Sequence, residues 1–260
     1  MFGINGIIVI AIGFAVGFIA GVIHGATSGY NLGNSLLNGL EGALAGVVGG
    51  LLAYVVVGVA LGVPGIAGAS GVGLSIAVGA AVVGGLNGVI GGAMQAYRWR
   101  SWTGWAAFLF DSTWGLIGTT LSVILHGVNV FNSNRTYRRD LSFRQNRHLY
   151  DGGFGFGDFA LTLGNVTSNL AGGGGGAQLA NHEALHILQS RLFGPIFQTV
   201  YVAWLIVGAI VGGILGIFVS QPWRQSTEDM AYYNNPWETW AYKQEGPNPS
   251  GHHGGKLSWS

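Results

Sequence analysis

The segment Asn181-His-Glu-Ala-Leu-His186 places two imidazoles and a carboxylate within five positions of a chain that has few ionisable groups. On a helix, His182 and His186 lie one turn apart on the same face, where two neutral imidazoles can share a zinc ion. Glu183 then stands beside the open coordination position and can accept a proton from water activated there. Gln189 falls near the same face. The spacing predicts a short helix, with Asn181 as its N-cap and Gly194-Pro195 ending it after Phe193. The plainer alternative is a helix with two interfacial histidines and an incidental acid.

A catalytic zinc takes three protein ligands and keeps one position open. Glu238, in Asn235-Pro-Trp-Glu-Thr-Trp-Ala-Tyr242, is the best candidate for the third. Asn235 is expected to cap a second helix with Pro236 in its first turn. Glu238 follows that cap by three residues, so completing a capping box is the plainer alternative, and both roles are compatible. His252 or His253, in the Gly-rich tail, is the fallback ligand.

These residues sit in a chain of 260 with 48 glycines and only 8% charged residues, against about 25% charged and about 7% glycine in an ordinary soluble domain. With 49% hydrophobic residues, this is a membrane composition. Disorder is excluded, because disordered segments have low hydrophobicity. Collagen is excluded because only six prolines are present and the glycines recur every fourth residue rather than every third. A net charge of +1 provides no field for nucleic acid. The absence of cysteine removes disulfides, thiolate catalysis and thiolate metal ligands.

Glu41 is the only charged residue before Arg98. Spanning-length apolar stretches run at about 4–29, 42–63, 72–97 and 195–220. The first lacks a basic n-region and is longer than a signal peptide's apolar run, so it is expected to remain as an uncleaved helix. The stretch 104–126 is weaker, because Asp111 within it needs a partner or a wet cavity. Before it, Tyr97, Trp99, Trp102 and Trp105 interleave with Arg98 and Arg100 like an interfacial aromatic belt. Glycines at a stride of four, such as Gly13, Gly17, Gly21 and Gly25, or Gly84, Gly88 and Gly92, form packing seams. Such seams serve a homo-oligomer or pore, or tight packing within one chain. The expected fold is all-α or mainly α: glycine-zipper transmembrane helices plus a small zincin-like HExxH element with a short strand. The expected units are a helical scaffold (1–97), an interfacial segment (98–130), the HExxH region (131–194), a hydrophobic helix or re-entrant hairpin (195–222) and a tail with the third ligand (223–260).

The run 182–195, preceded by Leu161-Thr-Leu-Gly-Asn-Val166 and followed by 235–242, resembles uncharacterised bacterial membrane proteins with a gluzincin-type HExxH site. More distantly it is similar to the heat-shock and CaaX-processing membrane metallopeptidases. The resemblance covers roughly residues 110–242. It implies zinc on His182, His186 and Glu238, Glu183 as general base, and a bacterial inner-membrane location. One departure stands out: those peptidases usually carry an aspartate four residues after the downstream glutamate, where this chain has Tyr242. Phe159 to Val166 is the expected strand for holding an extended substrate, and the glycines 172–176 a linker.

Two conflicts follow. If 195–220 crosses the bilayer once, the HExxH helix and Glu238 begin on opposite sides. The chain then needs a re-entrant bend near Gly212-Gly213, a site sunk in the membrane, or a return of residues 221–237, which reach about 55 Å when extended. In addition, Arg98 and Arg100 before 104–126, and Arg135, Arg138, Arg139, Arg144 and Arg147 after it, share one side only if that stretch does not fully span. The later arginines are either a solvated loop or a patch for anionic lipid headgroups. The leading expectation is a membrane-embedded zinc metallopeptidase, with Tyr232, Tyr233 or Tyr242 as oxyanion donor. The rival is a glycine-zipper structural protein with a structural or inactive metal site. Expected partners are membrane lipids, a peptide or membrane-protein substrate, and a homo-oligomer or membrane complex.

Overall fold

Three long apolar helices lead the chain: α1 (Ile4–Thr27), α2 (Leu32–Ala60) and α3 (Val72–Ala93). The computed structural model describes residues 4–60, 72–157, 159–172, 176–218 and 222–245; the fallback ligands His252 and His253 lie outside them. α2 runs antiparallel to both neighbours, and its small residues meet theirs. A Cβ at Gly21 would lie 2.6 Å from Gly39 Cα, and one at Gly92 would lie 2.8 Å from Gly42 Cα. Both distances are too short for any side chain, so glycine is what allows these backbones to touch and gain dispersion contacts. Asn38 adds a polar staple: its Nδ2 donates to Gly21 O at 3.0 Å and Ala93 O at 2.7 Å, tying α2 to both flanking helices. The outer faces present Ile12, Ile19, Leu44, Val59 and Ile76 to the surroundings.

After α3 the chain turns through Tyr97 into α4 (Trp102–Ser112), capped by the Ser101 hydroxyl on Thr103 N, and then α5 (Leu116–Val130). These two helices are bent by 91° at the break between them, so the stretch 104–126 is not one straight span. Beyond α6 (Arg139–Gln145) a small sheet forms in the order β1-β3-β2, from β1 (His148–Leu149), β2 (Leu161–Leu163) and β3 (Val166–Ser168). β1 is parallel to β3, and β2 is antiparallel to it. α5 grips the β2–β3 turn: the Ser122 hydroxyl donates to Leu163 O at 2.6 Å and accepts from Asn165 N at 2.9 Å. The expected strand 159–166 is thus a hairpin of two shorter ones.

The HExxH helix is α7 (Ala177–Phe193), followed by α8 (Pro195–Leu215), α9 (Trp223–Glu228), a π-helical turn (Asp229–Tyr233) and α10 (Pro236–Glu245). α7 begins earlier than expected. Gly176 takes the N-cap position and Asn181 lies inside the helix, because the preceding residues Ala177-Gln-Leu-Ala180 continue the turn. Its end is as read, with Gly194 at φ +54° directly before Pro195. α8 is continuous through Gly208 and Gly212. The chain then returns along it: Gly216 lies against Trp223, Gly212 against Thr227, and Gly208 against Ala231. Helices α1 (from Ile10), α2, α3 and α8 are long and apolar enough to cross a membrane, which is compatible with an integral membrane protein.

A buried polar junction joins the glycine-rich helices to the second half. Asp111, near the end of α4, receives Arg191 of α7 in a two-pronged pair, Nε to Oδ1 at 2.8 Å and Nη2 to Oδ2 at 2.7 Å. Burial works against the charge on Arg191, yet the Asp111 carboxylate keeps it above its ordinary pKa. The Tyr97 hydroxyl donates to Asp111 Oδ2 at 2.8 Å, and Asn165 Nδ2 donates to Asn87 Oδ1 at 2.9 Å. Tyr97, expected in an interfacial belt, is instead fully buried, because its hydroxyl is needed here. This junction runs across the expected unit boundaries at 97 and 130.

Gly21→Leu and Gly92→Leu should each cost about 1–3 kcal/mol through overpacking. Gly79→Leu, where an added Cβ meets nothing within 4 Å, should leave the unfolding midpoint of the detergent-solubilised protein unchanged. Asp111→Asn strands a buried guanidinium and should cost about 3–5 kcal/mol. Combined with Arg191→Met it should cost less than the two single changes summed; strict additivity would show that the pair is not coupled.

Candidate metal centre

α7 carries His182, Glu183, His186 and Gln189 on a buried face. Helical spacing brings the two imidazoles together, their Nε2 atoms 3.1 Å apart. The third group arrives from α10. Asn235 caps that helix as expected, its side-chain oxygen accepting from Trp237 N at 3.1 Å. Glu238 does not close a capping box; its carboxylate turns toward α7, with Oε2 3.1 Å from His182 Nε2 and Oε1 3.3 Å from His186 Nε2. All three residues are buried, and one ligand atom from each lies within 4.8 Å of the others. Four donors at about 2.0–2.1 Å from a tetrahedral centre are about 3.3–3.4 Å apart. The observed separations, which involve both carboxylate oxygens, are close to that spacing, and these residues could hold a metal ion.

Supporting contacts fix the ligands. His186 Nδ1 is 2.9 Å from Gln189 Oε1, and Gln189 Nε2 donates to Trp237 O at 3.0 Å. One amide therefore holds the proton of His186 on Nδ1, leaves Nε2 with its lone pair toward the site, and bolts α7 to the first turn of α10. The Tyr201 hydroxyl of α8 donates to Glu238 Oε1 at 2.5 Å. Tyr242 packs its ring 4.6 Å from that of His182. Without a metal, burial pulls His186 down, but the charge and hydrogen bonding of Glu238 outweigh it and hold His186 up to about 9. Burial likewise pushes Glu238 up, and the histidines more than reverse this, leaving it well below the usual carboxylate range. A cation entering the site displaces the shared proton.

Glu183 and His186 line a cavity of about 480 Å³. Its walls are mainly apolar, with Phe159, Leu161, Leu163, Phe197 and Leu205, and it includes Tyr232 and Tyr233. Tyr242 is not among the lining residues. β2 forms part of the wall and is an edge strand, paired only with β3 among the described residues. The π-helical turn widens the backbone just where Tyr232 and Tyr233 enter the cavity. Burial, followed by the Glu238 charge, holds Tyr232 well above the ordinary phenol range, and burial with Glu228 pushes Tyr233 up to about 12. Both keep their protons and can donate.

Arg147 is a further residue that spacing alone does not reveal. It was expected in a solvated loop or lipid patch, but it is 1% exposed. Its Nη2 donates to Ala180 O of α7 at 2.9 Å and its Nε to Gln145 Oε1 at 2.7 Å. Burial lowers its pKa to about 10, opposed by the charge of Glu183, so it stays cationic at neutral pH and faces Glu183 with a positive field. The other arginines of that group are engaged too: Arg138 pairs with Asp151 at 2.6 Å, and Arg139 bonds Gln95 and lies over the Tyr30 ring.

Equilibrated with a divalent transition metal and stripped of excess, the protein should retain a single ion, read by elemental analysis. His186→Ala and Glu238→Ala should lose it, and Gln189→Leu should bind it about 10–100-fold more weakly. Full occupancy in Glu238→Ala would remove the third ligand from the site. No family model, curated protein or solved structure matches the chain.

Proposed function

We propose that the chain is a zinc metallopeptidase of the bacterial inner membrane, acting on peptide segments presented in extended form. The observation that carries this reading is the approach of His182, His186 and Glu238 to within 3.1–3.3 Å beside a cavity that Glu183 lines. The donor set of two imidazoles and a carboxylate suits zinc and leaves the fourth position for substrate or water. On this reading the HExxH element and its neighbouring edge strand act as a zincin-like unit, and the close glycine contacts of α1, α2 and α3 support a zipper within one chain.

A bound zinc supplies Lewis acidity, polarising the scissile carbonyl and making water a better nucleophile. The rest is done by the chain's own residues. Glu183 takes a proton from the attacking water and returns it to the leaving amine. Arg147 presents its positive charge toward Glu183. Tyr232, protonated and in the wall, donates to the oxygen on which negative charge develops. The outer edge of β2 pairs with the substrate backbone, and the Phe159, Phe197 and Leu205 wall receives an apolar side chain. The cavity therefore favours apolar stretches, including those of membrane proteins.

Glu183→Gln tests the assignment. With casein and a set of quenched-fluorescence peptides as substrates, it should abolish cleavage while the metal content stays that of the wild type. Retained turnover would overturn the role of Glu183. A wild-type protein that binds zinc and cleaves nothing would instead support the rival reading, a glycine-packed membrane scaffold with a structural or inactive metal site.

A further inference from the structure

Glu41 is the only charged residue before Arg98, and none of the metal-site chemistry uses it. It lies on α2, whose 29 residues extend about 43 Å, longer than a hydrocarbon core of about 30 Å. Glu41 falls between the second and third turns of that helix, toward the end where α3 leads into α4. Trp102 and Trp105 are 79% and 48% exposed at this end, as aromatic side chains at a headgroup boundary are. An acid on an apolar helix is costly without a partner. Among the described residues Glu41 makes no ion pair. The charges acting on it come from Arg139 and Arg100, and Arg139 is already committed to Gln95 and Tyr30.

Beside Glu41 is a pocket of about 240 Å³ walled by Trp99, Trp105, Phe108 and aliphatic residues of α2. The three rings stand edge to face with one another. Their planes meet at 61° for Trp99 and Trp105, 76° for Trp99 and Phe108, and 79° for Trp105 and Phe108, with centroids 5.1–6.2 Å apart. Trp99 and Trp105, both partly exposed, meet at a steep angle and form a corner, with Phe108 fully buried against them. The Trp105 ring is fixed in it by Nε1 donating to Trp99 O at 2.8 Å. An aromatic corner closed by a carboxylate is suited to an ammonium ion, which gains from ring quadrupoles and from the opposite charge together.

We propose that this pocket binds the ammonium end of a zwitterionic phospholipid headgroup, with exposed Arg100 taking the phosphodiester. The volume is below the about 300–1,000 Å³ of sites for drug-sized ligands, so it takes the headgroup and leaves the acyl chains outside. Leu44, 60% exposed at the pocket wall, offers those chains an apolar path along α2. An anion lining the pocket, with the charge of exposed Arg100 close enough to act on it, matches a zwitterion and disfavours a purely anionic lipid. This site is separate from the metal centre and does not depend on the peptidase reading.

The full-length protein, reconstituted in vesicles of equal parts phosphatidylethanolamine, phosphatidylcholine and phosphatidylglycerol, tests this by native mass spectrometry of the lipids it retains. The ammonium-bearing lipids should be kept about tenfold over phosphatidylglycerol, a ratio worth one carboxylate and one aromatic corner. That preference should vanish in Glu41→Gln, which is isosteric at an exposed position and leaves the packing intact. Trp105→Leu should lose it as well, with an unchanged unfolding midpoint reporting on its fold. Equal retention of phosphatidylglycerol by the wild type, or an unaltered preference in Glu41→Gln, would overturn the proposal. Complete displacement of the lipid by soluble choline chloride would also overturn it, by assigning the pocket to a free ammonium compound.

Discussion

The pairing of Asp111 with Arg191 sets the position of everything that follows. Two opposite charges withdrawn from water are retained only when geometry and further hydrogen bonds compensate their desolvation. Here the fork of the guanidinium meets both carboxylate oxygens, Tyr97 donates to the same carboxylate, and Arg191 also donates to Asn146 O at 2.5 Å. Asp111 belongs to a helix packed on the glycine-rich bundle, and Arg191 lies five residues beyond the second histidine of α7. The pair therefore fixes how far the HExxH helix slides and rotates relative to the glycine-rich helices. A displaced α7 would leave a bare charge on each side.

From that anchor the metal centre is assembled in layers. α7 supplies two imidazoles in a geometry that its own helical repeat enforces. The return of the chain along α8 supplies the carboxylate, and it depends on Gly208, Gly212 and Gly216, which let Ala231, Thr227 and Trp223 lie directly on the α8 backbone. Gln189 and Tyr201 then hold the ligands from behind, one from the histidine side and one from the carboxylate side. The junction of glycine and polar contacts explains why the scaffold is not a mere anchor for the second half.

What was legible in the sequence was what is local. The histidine pair needs only a helix, and α7 ends where Gly194-Pro195 requires. Glu238 was identifiable because Asn235-Pro236 announces a helix start. The break in the stretch after Asp111 was signalled by an acid in an apolar run, and the return of the tail was one of three ways to bring a ligand across from the wrong side. Residues whose roles depend on partners far along the chain were not readable in this way. Arg191 is 80 residues from Asp111, and Asn38 reaches a carbonyl 55 residues away. Tyr97 and Arg147 carry the types expected of an interface and a solvated loop, and only the packed fold shows that each is consumed by a buried hydrogen-bond network. Asn181 is a good capping residue in isolation, yet the four residues before it already form helix.

The hairpin of α8 with α9 also orders events during biogenesis. The two imidazoles exist as soon as α7 forms, but the carboxylate reaches them only after α8 has taken its place and the chain has run back along it. A nascent chain emerging in sequence order thus has two of the candidate ligands in place before the third, and the three come together only once the hairpin closes.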